Sequence, residues 1–182
     1  PESHPVRALS SNRIKTMNFS TISLLGICSL PLVCYTASAQ DTAIQPAVEL
    51  VKRVTPQWVD KVTFKLDTTI KSPVISPNGQ QIQITAPSVL ECIRGYGYYL
   101  RKIALVHLSW NGDRFTPSSF IIPQQDITVP ETLPFNYALN YCTLSYSCAH
   151  WDKKKWEKEI DRFALNGFKY VLVTSGLEKV WQ

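Results

Sequence analysis

From Asn136 onward the chain reads strand, helix, strand and the opening of a second helix, joined by short loops. "YALNYCTLSYS" has the composition of a strand. "WDKKKWEKEIDRFALNGF" places Trp156, Ile160, Phe163, Ala164 and Gly167 on one helical stripe, with Asp152 as N-cap and Asn166-Gly167 as the stop. "KYVLVTSG" is nearly all apolar and β-branched, as a strand covered on both faces must be. "LEKVWQ" opens a further helix with no cap to close it. This order is the grammar of parallel βα units, and it constrains the fold more than any other feature. A (β/α)8 barrel takes ~250 residues, and this run is a small part of that. Residues 136–182 are therefore expected to be the first βα units of a truncated (β/α)8 barrel belonging to a longer protein.

The preceding region has a different pattern. "TAIQPAVELVKRV" repeats apolar residues at helical spacing, from Ile44 through Ala47, Val48 and Val51 to Val54. "DKVTFKLD" alternates Val62, Phe64 and Leu66 against polar neighbours, which predicts a half-buried strand. A turn at Pro77-Asn78-Gly79 leads to a second alternating strand through Ile82 and Ile84. "SVLECIRGYGYYLRKI" returns to helical spacing; its Gly95 and Gly97 weaken a free helix by about 1 kcal/mol each, so close packing against the sheet is their expected use. "VHLSWNGDRF" predicts a strand, an Asn-Gly turn and a return strand, with His107 packed in the sheet. The whole is a small N-terminal α/β domain, 40–122. A Pro-rich linker with Pro123, Pro130 and Pro134 follows at 123–135 and marks the expected domain boundary.

Before this domain lies a different kind of segment. The sole Met is Met17, and an apolar run of roughly 14 residues, from Ile22 to Tyr35, ends in "ASAQ", with Ala37 and Ala39 at the small-x-small spacing of a signal peptidase site. The run is shorter than the ~20 residues that cross a bilayer and contains Pro31, so stable membrane insertion is not expected. The reading is an upstream extension, 1–16, then a signal peptide, 17–39, and an exported protein, periplasmic or secreted.

Residues 1–39 hold three of the 19 basic and one of the 14 acidic residues, so the remainder carries a net charge of +3. That charge is dispersed, and "DKKKWEKEID" is balanced by its own acids, which argues against nucleic acid as a partner. Three cysteines remain beyond residue 39: Cys92, Cys142 and Cys148. An odd number leaves at least one free thiol. With only His150 nearby, Cys142 and Cys148 do not make a metal site, and no metal or cofactor is expected.

The stretch "NYALNYCTLSYSCAHWD", Asn136 to Asp152, is too polar for a core strand and too aromatic for an ordinary loop. In a barrel the C-terminal end of the first strand and its loop face the active site. Asn, Cys and Tyr there hydrogen-bond a polar ligand, and aromatic rings stack on a flat one, a mix that suits a sugar. The run "NYCTLSYSCAHWDKKKWEKEIDRFALNGFKYVLVTSGLEKVWQ", Asn140 to Gln182, resembles the start of the catalytic barrel of α-N-acetylglucosaminidases, glycoside hydrolase family 89. The shared features are N-x-C-T-x-S-Y-S, the Trp-Asp pair, W-E-x-E-I-D, A-L-N-G and S-G-x-E-x-x-W-Q. "GYGYYLRK" and "HLSWNG" are similar, more loosely, to the family's small N-terminal domain.

The resemblance implies an enzyme that removes terminal α-linked N-acetylglucosamine from glycans with retention. Two Glu do that chemistry, one protonating the leaving oxygen and one attacking the anomeric carbon, with their carboxyls ~5–5.5 Å apart. In the family both lie on later barrel strands, so no catalytic residue is expected within these 182 residues. The family's substrate-binding residues fall on Asn140, Cys142 and Tyr146. His150, Trp151 and Glu178 are placed at the pocket rim, Glu178 as a supporting group. Glu157 and Asp161 share one helix face four residues apart, but with Lys154 and Lys158 beside them they are expected to form a solvated face rather than a catalytic pair. The departures from the family pattern are His150 before Trp151, Lys153 to Lys155 after Asp152, and Thr174; they bear on preference for the leaving group. The alternative is a non-catalytic glycan-binding module.

Overall fold

The computed structural model describes residues 39–115, 120–139 and 148–172. Residues 1–38, which hold the expected upstream extension and all but the last residue of the expected signal peptide, the motif from Asn140 to Ser147, and everything from Val173 onward, with Thr174 and Glu178, lie outside the described residues.

Helix α1 (Ala39–Val54) leads through a short 3-10 turn (Pro56–Lys61) into strand β1 (Val62–Leu66). Strands β2 (Val74–Asn78) and β3 (Gln81–Ala86) form an antiparallel hairpin, and β3 returns to lie parallel beside β1. The spacing had marked β1, the turn and β3; β2 is the hairpin's first arm, hidden in sequence by Pro73 and Pro77 at its ends. Strict alternation holds in β3, where Ile82, Ile84 and Ala86 are fully buried and Gln81, Gln83 and Thr85 are not. Helix α2 (Val89–Lys102) starts at Ser88, whose Oγ accepts from the Glu91 amide. It lies with α1 over the apolar sheet face. Tyr96 and Tyr99 stack at 6.0 Å within this core, edge-on to Phe64 and Trp58 respectively. Their hydroxyls are satisfied: Tyr96 pairs with the buried Thr55, and Tyr99 donates to the carbonyl of Ile121 at 2.8 Å.

The two helix glycines are both explained by close approach, but to different neighbours. A Cβ on Gly95 would sit 2.8 Å from Ile84 Cγ2, so this one does pack on the sheet. A Cβ on Gly97 would lie 2.6 Å from the carbonyl carbon of Leu165 and 2.9 Å from its Cα. Gly97 thus admits the backbone of a second helix, not the sheet.

Beyond α2, strands β4 (Val106–His107) and β5 (Arg114–Phe115) form a separate two-stranded hairpin around the Asn-Gly turn. Val106 takes the inward position, so alternation turns His107 to solvent; the expectation of a packed His107 is corrected. Leu105, joining α2 to this hairpin, is 60% exposed and held at φ +54°. A left-handed backbone costs a β-carbon-bearing residue roughly 1–2 kcal/mol, and Asn tolerates it better. Leu105→Asn is therefore expected to raise the stability of the chain by about 0.5–1 kcal/mol, read as a rise in the urea midpoint at unchanged slope.

The Pro-rich stretch is extended and docked. Strand β6 (Ile127–Thr128) pairs antiparallel with β2, completing the order β1-β3-β2-β6. Val129 is buried, its amide bonded to Pro73 O at 2.8 Å. Strand β7 (Tyr137–Ala138) then pairs in parallel with β8 (Tyr170–Val171), and helix α3 (Lys153–Leu165) is the crossover between them. This is one parallel βα unit, as the sequence order predicts. Asp152 caps α3 by accepting from the Lys155 amide at 2.8 Å, and Gly167 follows the stop at φ +78°. Tyr170 and Leu172 are exposed rather than covered, although the Tyr170 ring meets Phe135 at 5.1 Å.

Candidate functional site

The amphipathic reading of α3 holds for Phe163 and Gly167, which are buried, and fails for Ile160, which is 52% exposed. The helix is buried along two flanks instead, Glu159 with Phe163 and Asp161 with Leu165, each pair four residues apart. Its charged face is the one turned toward α1 and the β4–β5 hairpin. The solvated carboxylate face expected there is corrected for Asp161, whose two oxygens accept from Arg53 Nε and Nη2 at 2.7 Å each. That bidentate bond is the main reason the Arg53 guanidinium is held above its ordinary pKa. Glu157, one turn earlier, remains exposed.

Glu159, on the same helix and likewise not expected to be catalytic, is drawn into the packing as well. It is buried, accepts from Arg162 Nη2 at 2.6 Å, and accepts from the indole Nε1 of Trp110 at 2.7 Å. Trp110 comes from the Asn-Gly hairpin and continues into an aromatic cluster. Its ring meets Trp151 edge-on at 5.7 Å, and Trp151 meets Trp156 at 5.1 Å. Arg162 lies over Trp110 and Lys155 over Trp151. Trp151, placed at the pocket rim by resemblance, is thus half-buried in contacts that hold the start of α3 against the hairpin. His150 beside it is exposed. The other expected site residues, Asn140, Cys142, Tyr146 and Glu178, are outside the described residues.

Between α1, the hairpin and α3 lies an open groove of about 590 Å³. Among its lining residues, Arg53, Arg162 and Lys158 are already paired, with Asp161, Glu159 and Asp113 respectively. These ion pairs make the groove a charged seam that ties α3 to α1 and to the hairpin. Cys92 and Cys148 are both buried free thiols, with burial pushing Cys92 up to about 12 and Cys148 upward as well, so neither is poised as a nucleophile. Among the described residues no cluster of His, Cys, Asp and Glu could hold a metal, and no helix is long and apolar enough to cross a membrane.

The approach to the motif is better defined. The Asn136 carboxamide donates from Nδ2 to Gly167 O at 2.9 Å and accepts at Oδ1 from the Lys169 amide at 3.0 Å. After β7, Leu139 turns out of the ladder at φ +69°, so the strand does not run straight from Tyr137 through Leu139. A bulky residue in that region is uncommon, and such backbone collects beside functional segments.

On the other side, α3 is seated by α2. Besides Gly97 at Leu165, Arg101 Nη1 donates to Leu165 O at 3.1 Å, a charge placed where the C-terminal carbonyls of α3 gather. Arg94, only 5% exposed, donates to Glu91 at 2.6 Å and to Pro130 O at 2.7 Å, while its Cγ and Cδ press against Gly167.

Comparison with known proteins bears on both layers. Residues 45–124 match the family model of the α-N-acetylglucosaminidase N-terminal domain, and residues 136–182 match that of the α-N-acetylglucosaminidase TIM-barrel domain. The human α-N-acetylglucosaminidase is 32% identical over 103 residues, 56% of this chain and 14% of that protein. A family 89 glycoside hydrolase from Clostridium perfringens, solved with 2-acetamido-1,2-dideoxynojirmycin, superposes with a TM-score of 0.69 at 24% identity, over 78% of this chain and 17% of its own. The same hydrolase, solved with its substrate GlcNAc-α-1,4-galactose, gives 0.66 at 24% identity over 73% and 16%. The chain thus spans about one-seventh to one-sixth of the length of these relatives. Among the described residues its mixed α/β architecture contains no closed barrel. With both of the family's front domains matched in order, and the fold matched independently, the chain belongs to the α-N-acetylglucosaminidase family.

Proposed function

We propose that these residues are the front of an exported retaining glycosidase that removes terminal α-linked N-acetylglucosamine from glycans. The observation that carries this reading is the contiguous match of residues 136–182 to the family's barrel, and Asn140, Cys142 and Tyr146 within that stretch are proposed as its substrate-binding residues. A family 89 relative holds GlcNAc-α-1,4-galactose as its substrate, which supports the same sugar at the non-reducing end here. Both catalytic Glu are proposed to lie in the larger part of the family's length that this chain, covering 14% and 17% of its relatives, does not represent. His150, Trp151 and Glu178 are proposed as rim residues around the leaving group. The apolar run ending at Ala39 is proposed to direct export.

The test compares the 182-residue chain with the full-length polypeptide on an aryl α-N-acetylglucosaminide, following the released anomer by proton NMR. The full-length protein is expected to release the sugar first as its α anomer, and the 182 residues alone to release none. Hydrolysis by the short chain, or a first-formed β anomer from the long one, overturns the reading.

A further inference from the structure

The parallel pair β7–β8 holds only two paired residues on each side, Tyr137 opposite Tyr170 and Ala138 opposite Val171. So short a ladder specifies its own register weakly, and a slip by one residue moves a strand about 3.3 Å and turns every side chain to the other face. Something else must hold it. The Leu172 amide bonds Ala138 O at 3.1 Å at one end. At the other end Asn136 contributes its side chain, not its backbone. A carboxamide has the donor and acceptor of a peptide group side by side. Here the donor meets Gly167 O and the acceptor meets the Lys169 amide, so Asn136 adds a rung to the ladder on the chain entering β8. No slipped register satisfies both bonds.

That rung is anchored in turn. Gly167 is pressed by Arg94, and Arg94 is fixed by Glu91 and Pro130 O. A continuous set of contacts therefore runs from α2 of the N-terminal layer, through Arg94 and Gly167, to Asn136, and Asn140 lies four residues further along the chain.

We infer that Asn136 is a positioning residue for the sugar pocket. Its carboxamide locks the register of β7 on β8, immediately before the segment that carries Asn140, Cys142 and Tyr146. The inference rests on the glycosidase reading for its kinetic part and on the hydrogen-bond geometry alone for its structural part.

The test uses the full-length protein with Asn136→Ala and Asn136→Asp. Amide exchange at Lys169 and Leu172, followed by mass spectrometry, is expected to quicken at least tenfold in Asn136→Ala. On an aryl α-N-acetylglucosaminide kcat/KM is expected to fall roughly 10- to 100-fold, the scale of an ångström-sized misplacement, with KM rising because the sugar contacts are displaced. Asn136→Asp carries a donor toward Gly167 O only when protonated. Its deficit against wild type should therefore shrink as pH is lowered from about 7 toward 4, close to the ordinary Asp pKa of about 3.9. Unchanged exchange overturns the lock even if the protein has no glycosidase activity. Faster exchange with kcat/KM within twofold of wild type, or with a wild type that is itself inactive, overturns the positioning role. If Asn136→Ala does not fold, the pH dependence of Asn136→Asp decides: a deficit independent of pH overturns the proposal.

Discussion

Replacing Gly97 by Ala is expected to destabilise the chain by about 3 kcal/mol, although intrinsic helix propensity alone predicts a gain of about 1 kcal/mol. The site lies inside α2, where Gly is normally a poor choice. The added methyl would fall 2.6 Å from the Leu165 carbonyl carbon and 2.9 Å from its Cα, and these are backbone atoms that no rotamer change can move. Helix α3 would have to retreat from α2 by more than about 1 Å to restore a normal carbon–carbon separation. Retreat stretches the Arg101 bond to Leu165 O, now 3.1 Å, and leaves the Arg101 guanidinium with less to bond. Burial and the neighbouring Arg94 charge already hold Arg101 below its ordinary pKa, so the loss of an acceptor there is felt. The measurement is urea unfolding of wild type, Gly97→Ala and Gly95→Ala. Gly95→Ala meets chiefly the end of the Ile84 side chain and Pro73, and is expected to cost less. A Gly97→Ala variant as stable as wild type would mean that α2 and α3 do not meet as described.

Periodicity made much of this architecture legible. α1, β1, β3 and α2 follow from apolar spacing, and the βα unit from the change of period after the prolines. What spacing cannot carry is which neighbour a face meets. Gly97 was readable as a close-approach glycine, but nothing local says that the approaching backbone is Leu165 rather than a strand. Asp161 and Ile160 show the same limit in reverse. A charged helix face beside lysines reads as solvated, yet Arg53 lies 108 residues earlier and Trp110 comes from a hairpin, and together with Arg162 they bury two carboxylates. The expected substrate residues rest on a motif, Asn140 to Tyr146, and not on any physical pattern of charge or spacing, and they lie outside the described residues. Asn136 gave no signal of its own, because one Asn before a strand is ordinary until its two partners across the crossover are known.

Arg94 should be the second costly residue to change. Arg94→Met keeps the length of the side chain and most of its packing but removes the charge and the donors. Glu91, whose side chain is only 14% exposed, then loses its partner, and Pro130 O loses the bond at 2.7 Å that ties the extended segment to α2. Removing one member of a buried pair costs about 3 kcal/mol, and an unfilled carbonyl adds to it. Gly167→Ala probes the same contact from the other side. Its φ of +78° suits Gly, and a Cβ there would sit 2.5 Å from Arg94 Cδ, so about 2 kcal/mol is expected. The two costs should not add. A thioether chain freed from Glu91 and Pro130 can swing away from the new methyl, which the pinned guanidinium cannot. In a double-mutant cycle the combined loss is therefore expected to fall short of the sum by about 1 kcal/mol. Strict additivity would mean that Arg94 does not hold Gly167 in place. The N-terminal layer would then hold the βα unit through α3, by way of Gly97 and Arg101 at Leu165, Arg53 at Asp161 and Trp110 at Glu159.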